Sequence, residues 1–166
     1  MRKGGFMDFD EIIEQFAAAA GLEGFRADDD GVYRLLIDGM PVSACPADDG
    51  HIALFAPVGE PPPDAVAGRE RLYRTLLESA HLGRGTASAS FSIDAETGEI
   101  YLQRLESAAG LDCEGFKLLL ENFVDVLAEW RRIVADFRPI AAKVDEEARE
   151  DEKLSRNMGV DGFLQV

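Results

Sequence analysis

The stretch from Thr86 to Phe137 reads as a β-hairpin that runs straight into one long amphipathic helix, and no other part of the chain restricts the fold as strongly. In TASASFSI, Ala87, Ala89, Phe91 and Ile93 face one way and Thr86, Ser88, Ser90 and Ser92 the other, the period of a half-buried strand. DAETGE supplies Gly98 for the turn, and IYLQRL returns as the partner strand. In the helix Phe116, Leu120, Phe123, Leu127, Trp130, Val134 and Phe137 recur with four-three spacing, and Leu119, Val126 and Ile133 add a second stripe. A face this wide predicts flat packing on a sheet rather than a coiled coil, with Trp130 as a core anchor.

Upstream, Asp8 with Glu11 three residues on predicts a capped helix that ends at Gly21, its apolar face made by Phe9, Ile12, Ile13 and Phe16. GVYRLLIDG, MPVSAC and HIALFAPV follow as strands separated by Asp38-Gly39 and by ADDG, which predicts an antiparallel meander. Pro61, Pro62 and Pro63 make a stiff connector, and RERLYRTLLESAHLG a second helix with Leu72, Tyr73, Leu76, Leu77 and Ala80 on one side. The order α-β-β-β-α-β-β-α gives an α+β fold, a twisted antiparallel sheet with helices. One domain is expected over residues 7–137, ended by Arg138-Pro139. Residues 138–166 form a charged tail, partly helical or disordered: IAAKVDEEAREDEKL has only a thin apolar stripe, and Phe163, Leu164 and Val166 follow it.

Against 17 Lys and Arg stand 32 Asp and Glu, a net charge of −15. Such a chain repels nucleic acid and anionic membranes and attracts basic or apolar polypeptides. No run of apolar residues is long enough for a stable membrane insertion, the N-terminus lacks the pattern of a signal peptide, and Cys45 and Cys113 read as reduced thiols. A cytoplasmic protein is expected.

Signals for catalysis are weak, and neither a metal nor a cofactor is expected. DDDG at Asp28 to Gly31 has Arg26 where a calcium loop needs its first ligand and Ile37 where it needs its last, so it reads as a turn. GRGT at Gly83 to Thr86 lacks the strand and helix that would make it a phosphate cradle. His51 and His81 have no partner at metal-binding spacing. Cys113 sits near a helix start, but Asp112 and Glu114 flank it and oppose a lowered thiol pKa. The pattern is that of a protein that binds rather than reacts.

The element order, the small acidic chain, the alternating Ser/Ala strand, the E-T-G turn and the long helix together resemble the Tir chaperone family, the class I type III secretion chaperones. The resemblance spans about Met7 to Phe137, and the tail beyond Pro139 departs from the family's usual length. It implies a cytoplasmic homodimer that binds the N-terminal segment of a secreted effector, keeps it from aggregating and escorts it for export. In the family the effector lies extended over the dimer, in part by adding a strand to a sheet edge. The effector-binding residues expected are Phe9, Ile12, Ile13, Phe16, Val32 and Leu36, with Phe9 and Ile13 partly exposed; the dimer interface is expected at Leu72, Tyr73, Leu76 and Leu77. For each the alternative is ordinary core packing. A non-secretory adaptor of similar fold that binds a folded partner is the competing function, and a small hydrolase a third.

Overall fold

The computed structural model describes residues 8–62 and 66–137; the expected tail helix and the apolar C-terminal residues lie outside them. Helix α1 (Phe9–Ala20) opens with the capping box, the backbone N–H of Asp8 donating to Glu11 Oε2 at 3.3 Å, and closes on Gly21 at φ 69°. Strands β1 (Tyr33–Ile37) and β2 (Met40–Ala47) are joined by Asp38 and Gly39 alone. Both have positive φ, 50° and 77°, the geometry that matches strand twist in a two-residue hairpin. A tight turn at Asp48–Gly50 leads to β3 (His51–Gly59), and α2 (Val66–Ala80), β4 (Ser90–Ile93), β5 (Ile100–Ser107) and α3 (Cys113–Asp136) complete the order expected.

The strands form one antiparallel sheet in the order β1-β2-β3-β5-β4, so the hairpin of β4 and β5 joins the meander through β5 on β3. The register places Val42, Ala44, Ile52, Leu54, Ala56, Ile100 and Leu102 on one face, all buried. Helix α3 lies flat on that face with Phe116, Leu120, Phe123, Leu127, Trp130 and Val134 turned inward, as its wide stripe required. Arg131 Nη1 donates to the Pro57 carbonyl at 2.9 Å and ties the helix to the far end of β3.

One expected strand is half as long as its alternation suggested. Only Ser90–Ile93 pairs; Ala87 and Ser88 have φ of 47° and 69°, and Thr86 is fully buried with its hydroxyl donating to the Ala89 carbonyl at 2.6 Å. That local bond gives the backbone an alternative to the ladder. Trp130 Nε1–H closes the loop by donating to the Gly85 carbonyl at 3.0 Å. Gly83 is required here: it has φ 68°, and a Cβ on it would lie 2.8 Å from Ser88 Cα. Gly83→Ala is therefore expected to cost about 1–3 kcal/mol, read as a lower denaturation midpoint with faster amide exchange in β4 before the rest of the sheet.

Candidate functional site

Three of the four apolar residues nominated on α1 are buried, although Phe9 also lines a cavity of about 490 Å³ between the start of α1 and the Asp48–Gly50 turn. Phe9, Ile12 and Ile13 are 4%, 0% and 1% exposed, so the expected partial exposure of Phe9 and Ile13 is corrected. The reason lies in α3 and β1. Phe116 takes the edges of Phe9 and Phe16 at 5.9 and 5.4 Å between ring centres, and Phe9 meets Tyr33 at 5.8 Å. The bulk on α1 fills an aromatic cluster, and of the four residues only Phe16 remains half-buried.

Tyr33 fastens β1 to α1 by donating its hydroxyl to Asp10 Oδ1 at 2.8 Å. Burial, and then this bond to a carboxylate, push the phenol up to about 12. Because the folded value is raised, the linked stability is complete below the ordinary tyrosine value near 10 and is lost as pH rises through about 12. An alkaline absorbance titration should find Tyr33 among the last of the phenols to ionise, and Tyr33→Phe should remove that delayed step while costing about 0.5–1.5 kcal/mol.

On α2 the sequence grouped residues that the helix separates. Leu72 and Leu76 are 0% and 3% exposed and belong to the core, which corrects a surface position for them, whereas Tyr73 is half-buried and Leu77 is 69% exposed. Arg69, Arg71 and Arg74 outnumber Glu70 and Glu78 on this helix, while α1 carries Asp10, Glu11 and Glu14 with no basic residue. In a strongly acidic chain α2 is locally basic.

Another open surface among the described residues is the face of the sheet turned away from α3. The register puts Leu36 there from β1, Cys45 from β2, Ala53 and Phe55 from β3, and Tyr101 and Leu105 from β5. Leu36 is 75% exposed and Leu105 67%; β1 is covered on the side of Tyr33, Leu35 and Ile37 and open on the side of Leu36. Val32, half-buried just before β1, shares by alternation the side of Leu36. A notch of about 310 Å³ lies between Ala53, Phe55, Leu105 and the Ser88–Ser90 edge. Leu105 and Phe55 were not singled out from sequence; HIALFAPV, apolar at both parities, was the available signal that both faces of β3 avoid charge.

No Asp or Glu stands on this face at the paired strand positions. Arg34, its one cation, is bound at 2.9 Å by Asp28, whose carboxylate also accepts from the backbone N–H of Val32 at 2.9 Å and of Asp30 at 3.0 Å. The Val32 bond leads in holding Asp28 below its ordinary value. Burial pushes the Cys45 thiol up, and neither Cys45 nor Cys113 is in a disulfide. Among the described residues no cluster of His, Cys, Asp and Glu has metal-binding geometry, and no helix is long and apolar enough to cross a membrane.

The model of the Tir chaperone protein (CesT) family matches residues 11–131, which is α1 through nearly all of α3. The chain belongs to the Tir chaperone protein family. Its α+β fold is that of the type III secretion chaperones, and the family is one of chaperones rather than enzymes. A chain of the ExsC–ExsE complex superimposes with a TM-score of 0.63 at 26% identity, covering 77% of this chaperone and 97% of that chain. A chain of the HopA1–SchA chaperone–effector complex gives 0.62 at 16%, covering 75% and 93%. A chain of the ExoU–SpcU complex from the type III secretion system of Pseudomonas aeruginosa gives 0.55 at 20%, covering 76% and 98%. No curated protein sequence matches the chaperone.

Proposed function

We propose that this type III secretion chaperone acts in the cytoplasm as a homodimer that binds the N-terminal segment of a secreted effector, keeps it soluble and escorts it for export. The working unit is the domain of residues 7–137. The observation that carries the reading is the family match over residues 11–131, on a scaffold whose described surface joins an open apolar sheet face to a strongly acidic exterior. An effector that meets such a surface loses apolar area to it while the complex retains the net charge that keeps it dispersed.

Of the residues nominated for the effector, Phe16, Val32 and Leu36 are accessible and stay in the proposal, while Phe9, Ile12 and Ile13 support them from the core. For the twofold contact, Leu77 and Tyr73 on the outward side of α2 are kept, with Leu72 and Leu76 as the packing beneath. An isologous contact through α2 brings together two copies of a helix that carries three arginines and two glutamates.

Co-expression with the effector encoded beside this chaperone tests the function. Purification of a stable complex that retains the effector's N-terminal segment through limited proteolysis is expected. Capture of the folded effector body alone, with that segment lost, would favour an adaptor.

A further inference from the structure

The cavity of about 490 Å³ beside Phe9 opens where α1 begins, β2 ends and the chain leaves β5, and Pro46, Ala47, Ala108 and Ala109 make its walls largely apolar. Pro46, Gly50 and Ala109 are exposed, so no described residue covers it. Its volume is that of a binding pocket. The segment nearest to it is the one that precedes α1. Asp8, at the cavity's edge, has φ −66° and ψ 149°, so the backbone enters the helix extended. Before it stand Arg2, Lys3, Gly4, Gly5, Phe6 and Met7, which lie outside the described residues. Alternate residues of an extended chain share a side, and Phe6 therefore goes with Asp8, toward the cavity.

We propose that residues 2–7 fold back as a strap over this cavity, with Phe6 seated in it and Arg2 and Lys3 against Asp48 and Asp49. Gly4 and Gly5 reach torsions closed to other residues and supply the reversal. Asp48 and Asp49 are exposed at the cavity's rim, and among the described residues neither is in a salt bridge. In a chain of net charge −15 they attract the two cations that precede the glycines. Proximity decides between occupants. A client or a second copy brings a side chain only at its own concentration, whereas Phe6, two residues from Asp8, is held there at an effective concentration of about a millimolar. The strap closes an apolar hollow beside the core, and any other ligand for that hollow has to displace Phe6.

Amide exchange on the full-length chain reads the strap at Ala108, whose N–H donates to the Gly50 carbonyl at 2.9 Å and joins two walls of the cavity. Phe6→Ala should speed exchange at Ala108 by at least about tenfold, the effect of losing one buried aromatic side chain. Phe6→Leu should keep most of the protection, and the amides of β1 and α2 should not respond to either change. Arg2→Glu combined with Lys3→Glu should give a smaller increase at Ala108, which added salt removes by bringing the unaltered chain to the same rate. A synthetic peptide of residues 2–7, added to the Phe6→Ala chain, should restore protection in a saturable way. An Ala108 exchange rate that Phe6→Ala leaves unchanged would overturn the strap, and so would faster exchange across the whole sheet, which would make Phe6 a support of the fold at large. Recovery of protection when the isotope-labelled Phe6→Ala chain is mixed with unlabelled unaltered chains would assign the cavity to the arm of a second copy. Recovery only on adding the effector's N-terminal segment, with the peptide of residues 2–7 inert, would assign it to the client. Either result removes the proposal.

Discussion

Phe116→Ala is expected to remove about 3–5 kcal/mol of stability, the range for truncating a buried aromatic. Phe116 is fully buried and receives two rings edge-on, from Phe9 and Phe16, so its loss opens a cavity where α1, α3 and β1 meet. Aromatic pairs contribute about 0.5–1.5 kcal/mol beyond their burial. A domain of this size has about 5–15 kcal/mol in total, so the variant is left marginal. Denaturant unfolding should show a lower midpoint with an unchanged slope, and Phe116→Leu, which keeps most of the apolar volume but loses both ring contacts, should still cost about 1–3 kcal/mol. A Phe116→Leu variant as stable as the unaltered chain would mean that the ring cluster does not organise this corner.

The second large effect separates two neighbours on α2. Leu77→Glu places a carboxylate on the outward side of the helix, at a residue 69% exposed in one copy. Its own fold should be unaltered within about 0.5 kcal/mol. In the proposed dimer the same change occurs twice across the twofold axis, and the contact should weaken by roughly a thousandfold. Leu76→Ala, one residue away and 3% exposed, should do the reverse: about 2–5 kcal/mol of lost stability, with assembly altered only as the fold is lost. Light scattering and thermal unfolding on the two variants read the contrast directly. A Leu77→Glu chain that remains dimeric would remove α2 as the interface.

These two contrasts mark what could be read from the residues. The caps at Asp8 and Gly21, the Asp38-Gly39 hairpin and the broad stripe of α3 are local or periodic signals, and each led to the element observed. Element order followed from them. Exposure did not, because it depends on which neighbour arrives from elsewhere in the chain. Nothing near Phe9 or Ile13 says that Phe116, more than a hundred residues away, will cover them. Leu76 and Leu77 are equivalent by composition, and only the rotation of α2 over the core distinguishes them. Thr86 to Ser88 alternate like a strand, but the buried Thr86 hydroxyl and the close approach at Gly83 turn the chain instead. The outer sheet face was hardest to see, since apolar residues at both parities of β3 suit two covered faces as well as one covered and one open.

Hydrogen exchange on the effector's N-terminal segment, free and in complex with the full-length chaperone, tests the central claim most directly. The account predicts strong protection of that segment only in the complex, with the effector's folded body unchanged. Protection confined to the folded body, or an N-terminal segment that exchanges as fast in the complex as it does alone, would contradict it.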